Sequence, residues 1–145
     1  MNIDRKLFKT GNALIDQQHE AYLDLVEKFF NFSYHKADLK TLKHELNKVF
    51  AYAVEHFDTE EYLMRSVQYP WMKEHCDKHG VFRDNVDSFS AELQNSDVDL
   101  DLITVRLAKL LVEWFADQVQ IDDRKLAGFL KQHAHKPLDT AKSAS

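Results

Sequence analysis

LKHELNKVFAYAVEHFDTEEYL, residues 42–63, carries the repeat that decides the fold. Leu42, Leu46, Val49, Ala53, His56, Glu60 and Leu63 fall four and three residues apart in alternation. That spacing draws one stripe along a helix, the seam of a helix packed in a bundle. His56 and Glu60 therefore occupy core positions. The alternation recurs downstream in Met72, His75, His79, Phe82, Val86, Phe89 and Leu93. That segment opens at Pro70, whose missing N–H suits a first helical turn. Upstream, a segment from Ile15 to Tyr34 has Asp16 as its N-cap and Ile15, Tyr22, Val26, Phe29 and Phe30 on one stripe with His19. A fourth segment follows the polar break QNSDVD (94–99), capped by Ser96 or Asp97. It presents Leu107, Leu111, Trp114, Gln118 and Ile121 inward and continues to His133. Four such helices with short connections predict an all-α fold, an antiparallel up-down four-helix bundle over residues 1–133. The polar remainder, 134–145, is expected to be a flexible tail.

Composition agrees with this. A chain of 145 residues, 44% of them apolar, suits one domain with one core. Only three Gly and two Pro argue for long uninterrupted helices rather than a turn-rich β architecture. A formal net charge of −5 without a basic stripe makes a poor nucleic-acid binder, and none is expected as a partner. The start, MNIDRKLFKT, lacks the apolar run of a signal peptide, and no stretch approaches the roughly 20 apolar residues of a membrane span. The single Cys76 has no partner for an internal disulfide, so a reducing cytoplasm is the expected compartment. Cys76 points off the seam and reads as a structural bystander. Glu61 and Lys78 read as surface charges, Tyr22 and Tyr62 as packing residues.

The informative feature is what interrupts the apolar stripes. His19, His56, Glu60, His75, His79 and Gln118 all face inward by periodicity. One hydrogen-bonded imidazole in a core is ordinary. Four, with a carboxylate, are costly to desolvate unless a cation pairs with them. Residues four apart share a helix face about 6 Å apart along the axis. His75 and His79 can thus reach one ion together. His56 and Glu60 can set an imidazole on one ion and a carboxylate between it and a second. Imidazole with carboxylate suits iron, zinc or manganese, whereas one Cys disfavours iron–sulfur or Cys-rich zinc sites.

IDQQH at 15–19, HFDTEEYLM at 56–64, YPWMKEHCDKH at 69–79 and WFADQVQIDDRKLAGFL at 114–130 together resemble the hemerythrin family in its bacterial single-domain form. The resemblance implies a bundle enclosing two irons about a bridging oxo or hydroxo group. One iron would take His19 and His56. The other would take His75, His79 and a histidine four residues after the Trp. Glu60 and Asp123 would bridge, and O2 would bind at the iron with fewer histidines.

This chain departs from the pattern at position 118, which is Gln. An amide oxygen is generally a weaker donor to iron than imidazole. Three outcomes stay open: Gln118 ligates through oxygen, a water fills the gap, or that metal position is weak or empty. A register question attaches to Asp123. On an ideal helix Asp122 lies one turn beyond Gln118 and faces the same way, while Asp123 is rotated by about 140°. A locally widened helix, or a metal approached from the side, would reconcile the two; the family register selects Asp123, with Asp122 as the reserve. Phe57, Trp114, Val119 and Phe29 are read as core residues, some of them walling the pocket and keeping it dry.

The function implied is O2 binding at a di-iron site, for carriage, storage, delivery or sensing. A sensor would need a separate protein partner. A contrasting expectation is an enzyme turning over peroxide or NO at a position opened by Gln118. A third is a metal-handling or purely structural bundle.

Overall fold

The computed structural model describes residues 2–133; the proposed tail, 134–145, lies outside them. Four long helices and one short turn make up the described residues. They are α1 (Ala13–Tyr34), α2 (Leu39–Ser66), α3 (Met72–Glu92) and α4, residues 100–133. A 3-10 turn, Arg5–Phe8, precedes α1. Short connections join successive helices, and the fold is an all-α bundle. No helix among the described residues is long and apolar enough to cross a membrane.

Side-chain caps set three of the helix starts, not always where the sequence reading put them. Asn12, not Asp16, caps α1, its Oδ1 accepting from the Ile15 amide at 3.0 Å. Asp16 lies in the first turn and reaches back to the Thr10 hydroxyl and the amides of Thr10 and Gly11. Asp38 caps α2, and Asp99, rather than Ser96 or Asp97, caps α4. Pro70 sits in the turn before α3, which begins at Met72.

α4 is not a uniform α-helix. Its α-helical stretches Leu100–Ala108, Phe115–Gln118 and Arg124–His133 alternate with π-helical turns, Lys109–Trp114 and Val119–Asp123. Each wider turn shifts the inward face along the chain. Phe115 is fully buried, while Trp114 is half-buried and Ile121 is exposed. The inner face read from the sequence is therefore displaced here.

The apolar core falls into two clusters along the bundle axis. The larger holds Tyr22, Phe57, Phe82, Phe115 and Val119. The smaller holds Ile15, Met64, Tyr69 and Leu126. Along the chain six of the buried polar residues divide the clusters: His19 lies between Ile15 and Tyr22, His56 and Glu60 between Ala53 and Met64, His75 and His79 between Tyr69, in the turn before α3, and Phe82, and Asp123 between Val119 and Leu126. A polar layer is thus sealed between two hydrocarbon layers.

Candidate metal centre

That layer holds two groups of side chains whose ligand atoms lie within 4.8 Å of one another: His19, His56, Glu60 and Asp123, and Glu60, His75, His79 and Asp123. All six residues are buried, and both groups share the two carboxylates. Asp123 divides its oxygens between them. Its Oδ2 lies 3.0 Å from His19 Nε2, and its Oδ1 lies 3.1 Å from His75 Nε2. Glu60 Oε1 stands 3.5 Å from His56 Nε2, 3.3 Å from His75 Nε2 and 3.1 Å from His79 Nε2.

The π turn explains how Asp123 arrives there. Its i→i+5 repeat brings Asp123 onto the face of Gln118, which an α-helical repeat would have given to Asp122. Asp122 instead lies outside, paired with Lys78 at 2.7 Å.

The outer edges of the imidazoles decide their tautomers. His19 Nδ1 donates to the Phe8 carbonyl at 2.8 Å. His79 Nδ1 donates to Glu61 Oε2 at 2.8 Å, and Arg83 supports that carboxylate from 3.3 Å. His56 Nδ1 meets Gln18 Oε1 at 2.8 Å. The Gln18 amide is oriented by Thr59: the Thr59 hydroxyl donates to the Glu55 carbonyl, so it can only accept from Gln18 Nε2, at 3.1 Å. With Nδ1 carrying the hydrogen, each of these rings turns an Nε2 lone pair inward. His19 Nε2 and His56 Nε2 then face each other across 3.2 Å. Two lone pairs at that separation repel unless a proton or a cation lies between them.

The charges express the same conflict. Burial pushes the Glu60 carboxyl well above its usual range, and the neighbouring Asp123 charge adds to this. Burial also works against the Asp123 anion, but the imidazoles of His19, His56 and His75 hold it well below the usual carboxylate range. Burial disfavours a His75 cation, yet Asp123 and Glu60 raise that ring to about 10. Burial and the His75 charge lower His79 to about 2.

A metal ion fits the donor set. Two donors about 2.0–2.2 Å from one ion lie roughly 3.0–3.5 Å apart, close to the 3.0–3.7 Å imidazole–carboxylate separations within the two groups. Glu60 Oε2, His75 Nδ1, Asp123 Oδ1 and both amide atoms of Gln118 are buried without a hydrogen-bond partner. Such a concentration of orphaned polar atoms is costly in a finished core.

Gln18, Glu61, Phe8 and Phe115 are residues that periodicity did not single out for the site. Gln18 and Glu61 lie beside a seam residue and reach the outer edge of a ring on another helix. Phe115 packs against His19, His56 and Phe57 with ring centroids 5.7, 6.0 and 6.3 Å away. Phe57 stacks on His79 at 4.1 Å. Tyr22 is buried, its hydroxyl donating to the Leu111 carbonyl, whereas Tyr62 is exposed.

The family model described as hemerythrin HHE cation binding domain matches residues 10–130. The bacteriohemerythrin of Campylobacter jejuni subsp. jejuni serotype O:6 is 28% identical over 79 residues, 54% of this chain. The match spans 59% of that relative's length. The bacteriohemerythrin of Stenotrophomonas maltophilia is 25% identical over 126 residues, 87% of this chain and 79% of its own. That of Ralstonia nicotianae is 29% identical over 123 residues, 84% of this chain and 83% of its own. No solved structure gives a significant match. The family model covers most of the chain and takes in every residue of the buried polar layer: the chain belongs to the hemerythrin family.

Proposed function

We propose that this chain holds two iron ions between its helices and binds O2 there, for carriage, storage, delivery or sensing, in the cytoplasm. His19 and His56 would hold one ion, His75 and His79 the other, with Glu60 and Asp123 spanning both and Gln118 beside the second. The observation that carries this reading is the set of inward lone pairs, above all His19 Nε2 facing His56 Nε2 at 3.2 Å. Iron supplies the electrons and the open coordination that O2 binding needs.

The chain's own residues prepare the rest. Phe8, Gln18 and Glu61 fix the imidazole orientations. Phe57, Phe82 and Phe115 exclude water from the layer on its larger side. The test is to load ferrous iron anaerobically and then admit O2. A visible ligand-to-iron charge-transfer band that appears and fades under vacuum is expected. Prompt irreversible oxidation would contradict reversible binding.

A second reading, turnover of peroxide or NO, is favoured by one observation: Gln118 stands where the family pattern has a histidine, with its amide unpartnered. Turnover faster than that of Gln118→His is the expected sign.

A further inference from the structure

A surface cleft between α3 and α4 leads to Gln118. It holds about 230 Å³, room for several waters, and is lined on one side by Lys78 and Val81 and on the other by Trp114 and Ile121. Val81 and Ile121 are exposed at its rim. Gln118 also lines it, yet is only 3% exposed, and neither its Nε2 nor its Oε1 has a partner. Asp122 lines the cleft too, and the next residue, Asp123, turns its Oδ1 to His75 Nε2 at 3.1 Å, so the cleft runs beside the His75/His79 half of the centre.

We propose that this cleft admits a small neutral ligand that both donates and accepts hydrogen bonds, water or hydrogen peroxide, to the metal held by His75 and His79, and that the Gln118 amide binds it there. The proposal rests on the two-metal reading above. Three features select the ligand. An amide that ligated through Oε1 would leave its NH2 buried without an acceptor. A ligand carrying both a lone pair and an O–H satisfies both ends of the amide; O2 offers no donor. The cleft also disfavours anions, because its one Lys is already paired with Asp122 and Asp117 adds a further negative charge.

The experiment loads the whole chain with Mn(II), counts bound ions by metal analysis and measures water-proton relaxation. The wild type should bind two ions per chain and show fast-exchanging coordinated water. Gln118→His, which fills the position with an imidazole, should lose one exchanging water per chain. Ile121→Trp, at the exposed rim, should keep that water but slow its exchange. Because hydrogen peroxide would oxidise Mn(II), its binding is read on the Zn(II)-loaded chain, where the side-chain amide resonances of Gln118, absent from Gln118→His, should shift when it is added. Two ions per chain with identical relaxation in all three proteins would overturn the proposal and leave the two-metal reading standing. Fewer than two ions in the wild type would overturn that reading itself. Gln118 amide resonances unmoved by hydrogen peroxide in the Zn(II)-loaded chain would overturn the peroxide assignment.

Discussion

Gln18→Leu takes one acceptor from a fully buried ring. Gln18 Oε1 accepts from His56 Nδ1 at 2.8 Å, and its Nε2 donates to Thr59 at 3.1 Å. Leucine keeps most of the volume and loses both bonds. His56 must then bury an unpaired N–H, at about 1–3 kcal/mol, or move its proton to Nε2 and turn a hydrogen toward the cluster. Either course weakens the metal position shared with His19. Outer partners of ligating histidines are typically worth about 10- to 100-fold in metal affinity, or about 1.4–2.7 kcal/mol, so the two scales agree. The assay is competition between the loaded protein and a chromophoric chelator, with circular dichroism to check the fold. Gln18→Leu should release one ion about 10- to 100-fold more readily while the ion held by His75 and His79 stays. Gln18→Glu, which keeps an acceptor, should restore retention. Unchanged retention in a folded Gln18→Leu variant would refute the role given to the His56 tautomer.

Asp123→Asn should deplete both metal positions, because one carboxylate serves both groups. Asp122→Asn should leave metal content intact and change stability by less than about 1 kcal/mol, as befits a surface pair; metal analysis and urea unfolding separate the two. Glu61→Ala should weaken the second position about 10- to 100-fold in the same chelator competition, since it removes the acceptor of His79 Nδ1. For Asp16, burial raises the carboxyl, but hydrogen bonds from Thr10 and Gly11 outweigh it and hold the group below its ordinary value. Its contribution is therefore present above the unfolded pKa and lost as pH falls through the folded one. Urea unfolding should show Asp16→Ala less stable by about 1 kcal/mol near neutral pH, with the gap closing as the pH falls below the ordinary carboxylate range. Gly128→Ala should raise thermal stability by about 0.5–1 kcal/mol, because a Cβ there meets open space in a helical stretch.

Much of this was legible in the chain because helices α1 to α3 are regular. His19, His56, Glu60, His75 and His79 sit on apolar stripes of unbroken three-and-four spacing, and each is buried in the structure. α4 was harder because its two π turns change the number of residues per turn. No side-chain pattern announces a π turn, so Trp114 and Ile121 read as inward and Phe115 did not. Asp123 was reached through the family register alone; α-helical periodicity pointed to Asp122, and the π turn reverses that. Gln18 and Glu61 escaped for another reason. A stripe reports which residues face the core, not which flanking residue reaches the far edge of a ring on the next helix. The Phe8 carbonyl is backbone and carries no sequence signal at all. The caps at Asn12 and Asp99 were displaced because several Asp, Asn and Ser residues compete near each helix start, and the adjoining loops select among them.

Native mass spectrometry of the chain purified from iron-replete cells tests the central claim most directly, because it weighs the folded protein with whatever its polar layer holds. Two iron ions per chain, both lost when Asp123 is replaced by Asn, are the expected result. A folded chain whose mass shows no metal, or a single zinc, would contradict the claim that cations relieve the inward lone pairs of His19, His56 and His79.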